Sequence, residues 1–329
     1  MIKHSIIIIC YNQAEFIKDS INSCINQSLP PHEIIISDDC SSDNTWNIIN
    51  EYDHNLFNIK AFRNSHNVGL HENIRIAHSY ITGNVVSHCA GDDLLEKDTL
   101  YEISKAIIKN NIRIELDKFI VTLNSYLLYP DGKKTLWNNY QIRDKDPLKS
   151  RLRYGFSHRG VGLSKSLINE VPEQSELIKK YPDFSFGVDW IKGFEEILIS
   201  DKIIFVDYAG PIYRIGTGVT SKNSIKEQEK SKLLLIRFIE KKYGQYWNEQ
   251  DLIYIRFLEV SLKYRLNKNP LYFLITLYYW FRNYNNFDPN YPWIREGKFM
   301  IPERYWTFFK FRIYPLLKTL RNGCFKTVV

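Results

Sequence analysis

The chain lacks the glycine loops of the commonest nucleotide folds. No Gly-x-Gly-x-x-Gly follows its first apolar run, and no Gly-x-x-x-x-Gly-Lys-Ser/Thr occurs anywhere. Dinucleotide dehydrogenases and P-loop enzymes need those glycines so that backbone can approach phosphate, and both classes are set aside. Cysteine is scarce: Cys10, Cys24, Cys40, Cys89 and Cys324 make an odd count with no Cys-x-x-Cys pair. That excludes a disulfide frame or a cysteine zinc site and suits reduced core thiols in a cytosolic protein. No run reaches the roughly 20 apolar residues of a membrane-spanning helix. The opening MIKHSIIIICYN turns polar too soon for a signal peptide. Internal repeats and low-complexity linkers are missing too.

What is present is an ordinary globular composition, 44% hydrophobic and 25% charged, with many aromatics. The charge is uneven. Residues 268–329 hold ten Lys/Arg against three acids, a balance of 10 − 3 = +7, which equals the whole chain's excess of 44 − 37 = +7. Questions about a charged partner therefore belong to this tail. Its segment LYFLITLYYWF (271–281) is too short to span a bilayer, yet Trp280, Trp293, Trp306 and the basic residues suit an anionic membrane surface. The competing reading is a helix pair packed on the rest of the chain. No nucleic-acid module is visible.

Apolar runs alternate with helical periodicity through the first half. SIIIICYN (5–12), HEIIISDD (32–39), NIKAFRN (58–64) and NVVSHCAGDD (84–93) read as strands. Residues 13–28, a segment after Asp43–Thr45, the part of 67–83 that follows a loop and ends at Gly83, and 96–110 read as the helices between them. Strand–helix alternation implies right-handed crossovers and a parallel sheet, whose ligands bind beyond the carboxyl ends of the strands. Polar residues gather at those ends: Tyr11-Asn12, Asp38-Asp39 and Asp92-Asp93. Acidic strand ends bind hard cations or hydrogen-bond donors, and a carboxylate pair with Mg²⁺ or Mn²⁺ can hold a diphosphate. The plainer reading of Asp92-Asp93 is a cap on a helix at 94–110. Further on, 118–137 reads as two strands around Pro130-Asp131-Gly132, 156–171 as a strand and a short helix, 186–200 as a helix with Asp189 in its first turn, and 202–216 as paired strands. Helical segments take over after about Thr217.

The order SIIIICYN, SDDCSSDNT, NVG, AGDD resembles the family-2 glycosyltransferases over about residues 3–215. The resemblance implies an α/β fold of the GT-A nucleotide-diphospho-sugar type, a Rossmann-like mixed sheet over 1–216, with a helical C-terminal extension over 217–329. It implies an inverting transferase of bacterial polysaccharide synthesis, using a nucleotide-diphospho-sugar donor of the UDP class. Tyr11 would lie against the base with Asn12 among the nucleotide-sugar-binding residues, Asp39 would accept the base N–H with Asp38 beside it, Asp92 would face the ribose, and Asp93 would ligate Mn²⁺ or Mg²⁺. Asp189 in FGVDW would be the general base, and His158 and Arg159 would lie on the acceptor side or in a solvated loop. The acceptor would be an oligosaccharide or a lipid-linked sugar, met at the inner face of the plasma membrane by a peripheral, cytoplasmic protein. Two departures from the family pattern stand out. Ala90 occupies the place of a further Asp two positions before the pair, and Gly216 the place of a His after the last sheet strands. A sugar nucleotidyltransferase would show a glycine-rich basic loop near the N-terminus, where this chain has YNQAEFIKDS; a non-catalytic partner of a membrane assembly is the other alternative.

Overall fold

The computed structural model describes residues 1–137, 146–154, 161–182, 187–217 and 225–283. In chain order the strands are β1 His4–Cys10, β2 Glu33–Asp38, β3 Ile59–Arg63, β4 Val85–Ala90, β5 Leu94–Leu95, β6 Phe119–Leu128, β7 Lys134–Trp137, β8 Gly162–Ser164 and β9 Lys202–Arg214. The helices are α1 Ile17–Ile25, α2 Thr45–Asn50, α3 Leu70–His78, α4 Thr99–Lys109, α5 Pro147–Tyr154, α6 Lys165–Glu170, α7 Gln174–Lys180, α8 Val188–Ile199, α9 Ile225–Tyr243, α10 Glu249–Asn267 and α11 Pro270–Asn283.

One mixed sheet runs β3-β2-β1-β4-β8-β6-β9-β5, with β7 paired to β6. The first four strands are parallel, as their apolar runs require once both faces are covered. Alternation along β1 and β2 sends Ile6, Ile8, Ile34 and Ile36 to one face, against Ile17 and Ile21 of α1 and Leu100 and Ile103 of α4. Ile7, Ile35 and Val86 go to the other, against Ala77 of α3 and Leu167 and Ile168 of α6. Contacts divide the chain into two units, Met1–Leu235 and Ile236–Val329. In the second, Asn248 caps α10 in a reciprocal capping box with Asp251.

Three expectations are corrected. Residues 202–216 form one strand rather than a pair, because the ladder to β6 keeps Ala209 paired with Asn124 and absorbs Asp207-Tyr208 and Gly210-Pro211 in register shifts on either side of it. Pro211 sits opposite Leu95 of the two-residue β5, where no long ladder demands its missing N–H. The helix expected over 96–110 starts at Thr99, and Leu94–Leu95 is strand, so Asp92 and Asp93 are not its cap. The helices expected to run up to Pro30 and to Gly83 end earlier, at Ile25 and His78.

Candidate functional site

Register brings the strand ends level. Cys10 pairs with Asp38 and Ile9 with Ala90, so Tyr11, Asp39 and Gly91 leave the sheet side by side. Two non-glycine residues there take left-handed backbone, Asn12 at φ 52° and Cys40 at φ 59°. Such positions cluster at binding sites, where surrounding bonds hold them. For Asn12 the bonds are explicit: its N–H donates to Ser41 Oγ at 2.8 Å, and its Oδ1 accepts from the Ser42 N–H at 2.7 Å. Asn12 thus ties the loop after β1 to the loop after β2, while the Tyr11 ring stays half exposed.

The adjacent acids Asp38 and Asp39 do different work. Asp38 is fully buried, accepts from the Ser41 N–H at 3.1 Å and from the Ser41 hydroxyl, and pairs with Arg63 Nε at 3.2 Å. Asp39 reaches across to the loop before α3. Its Oδ1 accepts from the Val68 N–H at 2.8 Å and Asn64 Nδ2 at 3.0 Å, and its Oδ2 from the Gly69 N–H at 2.9 Å. A carboxylate offers about four acceptor positions; these three bonds leave one on Oδ2.

Asp92 and Asp93 meet the end of β9. Thr217 Oγ1 donates to Asp92 Oδ2 at 2.8 Å, and the Arg214 N–H donates to Asp93 Oδ1 at 3.0 Å. Arg214 also carries a guanidinium to this edge, paired with Asp19 at 2.7 Å and stacked over Phe16. Its Nε is buried without a hydrogen-bond partner, as is Gln13 Oε1, which lies against Gly91. Among the described residues no three His, Cys, Asp or Glu side chains gather as a metal cage. Hard divalent cations under a diphosphate take one or two carboxylates and the rest from phosphate and water, so the hard oxygens of Asp92 and Asp93 fit such an ion.

Asp189 lies in the first turn of α8, entered through Gly187 at φ 100°. Arg151 Nη2 donates to the Asp189 carbonyl at 3.1 Å. Asp189 and Lys192 are both within electrostatic reach of His71 in the first turn of α3, which burial holds below the ordinary histidine pKa. Asp189 thus lies within electrostatic reach of the helix start whose Gly69 amide binds Asp39. His158 and Arg159 lie outside the described residues. The thiols of Cys10 and Cys89 are held well above the ordinary range, Cys10 by burial and Asp38, Cys89 by Cys24 and burial, which makes them packing groups rather than nucleophiles.

Sequence reasoning missed Ser41, Asn64, Arg214, Thr217 and His71. Thr217 had a signal, since it follows directly on Gly216, which stands where the family has a His. Ser41 and Asn64 had none beyond their nearness to Asp38-Asp39 and NVG.

The glycosyl transferase family 2 model matches residues 5–171. The poly(ribitol-phosphate) β-N-acetylglucosaminyltransferase TarS of Staphylococcus aureus is 25% identical over 170 residues, 44% of this chain and 29% of TarS. A cholesterol galactosyltransferase of Borreliella burgdorferi is 31% identical over 155 residues, 46% of this chain and 41% of that protein. The chain thus matches under half the length of these curated relatives. The crystal structure of S. aureus TarS superposes with a TM-score of 0.57 at 20% identity, covering 79% of this chain and 44% of TarS. Its 1–349 form in complex with UDP-GlcNAc gives 0.52 at 18% identity, over 80% and 72%. These structures share the GT-A fold.

Proposed function

The chain belongs to glycosyl transferase family 2, and from that premise we propose that it moves a sugar from a UDP-sugar to a hydroxyl of a saccharide or polyol acceptor in bacterial surface-polysaccharide synthesis. The observation that carries this reading is the shared level of Tyr11, Asp39 and Gly91-Asp92-Asp93 at the carboxyl edge of β1, β2 and β4. Tyr11 presents a half-exposed ring face for the base, and Asp39 keeps one acceptor position for its N–H. Asp92 faces the ribose. Asp93, with Asp92 beside it, would hold Mn²⁺ or Mg²⁺, which when bound supplies positive charge to the leaving diphosphate. Arg214 brings a second cation to that edge.

Asp189 acts as general base, taking the proton from the acceptor hydroxyl as its oxygen attacks the anomeric carbon opposite the diphosphate, so configuration inverts. TarS, by its name, glycosylates a polyol phosphate, which supports testing polyols as well as saccharides. We place the work at an anionic membrane face, supported by the basic tail and by the exposed Leu271, Leu274 and Tyr278 of α11. The decisive experiment is Asp189→Asn. Transfer falls by about 10² or more, the scale of a lost general base, while UDP binding by calorimetry is kept. Unchanged turnover would remove Asp189 from the role.

A further inference from the structure

Between the donor edge and α8 stands a histidine that the reading above leaves unused. His71 Nδ1 lies 2.5 Å from Gln174 Oε1. An amide oxygen only accepts, so the ring hydrogen sits on Nδ1 and a neutral ring keeps its lone pair on Nε2. Burial favours this neutral form most, the Gln174 bond and the Asp189 carboxylate oppose it, and the Lys192 ammonium reinforces it. Lys192 is itself fixed: its Nζ donates to Glu173 Oε2 at 2.9 Å, and Glu173 Oε1 is 2.6 Å from His78 Nδ1. Successive residues at the start of α7 therefore tie down two groups within electrostatic reach of each other, Glu173 holding Lys192 of α8 and Gln174 holding His71 of α3. Little of this is needed to pack α3 on α7, where an apolar pair would cost less to bury.

We propose that His71 is an acceptor-binding residue, its Nδ1–H locked by Gln174 so that Nε2 receives a hydrogen bond from a hydroxyl of the incoming saccharide or polyol beside Asp189. This rests on the glycosyltransferase reading. No bond is made or broken by His71; it orients the hydroxyl-bearing chain while Asp189 takes the proton. The role is lost once Nε2 is protonated and becomes a donor. Acceptor KM therefore rises on the acid side as pH falls through the His71 pKa. Gln174→Glu places a carboxylate on Nδ1, favours the imidazolium, and moves that limb to higher pH.

The test uses the full chain with UDP-GlcNAc and Mn²⁺, with poly(ribitol phosphate), N-acetylglucosamine oligosaccharides and water as acceptors, alongside ¹⁵N-histidine NMR. Expected results are an Nδ1–H tautomer for His71 at neutral pH and an acid limb displaced upward by Gln174→Glu. His71→Phe should raise acceptor KM about three- to tenfold, the worth of one hydrogen bond, with donor KM unmoved. A ring protonated on Nε2 overturns the proposal, as does an acid limb indifferent to Gln174→Glu, or a His71→Phe variant that changes donor and acceptor KM alike. Full turnover in Asp189→Asn would discard the base and leave these results standing, so the two failures are distinguishable. The NMR arm reads the tautomer whether or not any of the three acceptors is glycosylated.

Discussion

At the scale of single residues, neighbours in sequence carry opposite duties. Asp38 is spent on Ser41 and Arg63, whereas Asp39 holds the Val68 and Gly69 amides and retains one acceptor position. Asp39→Asn replaces one acceptor oxygen by an NH₂, which faces a backbone N–H and leaves that donor unsatisfied. Stability should fall by about 1–3 kcal/mol in a urea titration, and UDP affinity should fall with it; a variant as stable as the parent would contradict the anchoring role. Glu33, at the opposite end of the strands, is one of the carboxyls that set acid behaviour, with Glu173 and Asp117. Burial alone would raise its pKa, but bonds from Lys60, Ser5 and Thr82 bring it down to about 2 from an ordinary 4.5. A carboxyl depressed on folding stabilises above its unfolded pKa, and that contribution drains away as pH falls toward the folded value. The melting temperature should therefore drop between pH 4.5 and about 2, and Glu33→Gln should flatten that slope while lowering stability at neutral pH. An unaltered slope in the variant would contradict this.

At the scale of elements, the carboxyl edge of the sheet was legible because the strands that build it are short β-branched runs ending in polar residues, a pattern fixed by local chemistry. The four parallel strands and the placement of Tyr11, Asp39 and Asp92 at one edge followed from it. The role of the β9 end was not legible. The bond from Thr217 to Asp92 spans 125 residues, and nothing in the local pattern of either segment encodes such a pairing. The same holds for His71 and Gln174, brought together by the packing of α3 on α7 rather than by sequence spacing. Residues 202–216 form one strand rather than the expected pair for a related reason, since Pro211 lies opposite a distant two-residue partner that tolerates its missing N–H. Gly91, between β4 and the two acids, was passed over although the turn depends on it. A Cβ there would lie 2.7 Å from Cys10 Cβ and would collide with Gln13 Oε1. The glutamine tip could swing aside, but the root of the buried Cys10 side chain in β1 could not. Gly91→Ala should thus cost about 1–3 kcal/mol, the usual penalty of overpacking, and weaken UDP binding by displacing Asp92 and Asp93. Differential scanning calorimetry and UDP titration check both parts, and an unperturbed Kd would separate the turn from the site.

At the scale of the whole chain, the distribution of charge sets apart the region that follows the sheet. Residues 1–267 sum to zero, and the excess of +7 falls in 268–329. No helix among the described residues is long and apolar enough to cross a membrane. Yet α11 leaves Leu271, Leu274 and Tyr278 more than half exposed, at spacings of three and four that share one helix face. An exposed apolar stripe in a sequence region of concentrated positive charge has the two ingredients of interfacial binding, since basic residues near an anionic surface contribute about 1 kcal/mol each and the stripe can enter the acyl boundary. The expected outcome is sedimentation with phosphatidylglycerol vesicles but not with phosphatidylcholine vesicles at low salt. Leu271→Asp combined with Leu274→Asp should release the protein from those vesicles even at low salt, because it removes the inserted stripe and adds two repelled charges. Raising the salt to about 1 M, where the Debye length shrinks to about 3 Å, should weaken binding of the parent by suppressing the electrostatic share alone. Equal retention on neutral and anionic vesicles would assign the attachment to apolar contact only, and no retention on either would return the stripe to protein packing. In that last case the basic tail would act on the acceptor instead, and the same double substitution would leave vesicle behaviour unchanged while a polyanionic acceptor such as poly(ribitol phosphate) still bound in a salt-dependent way.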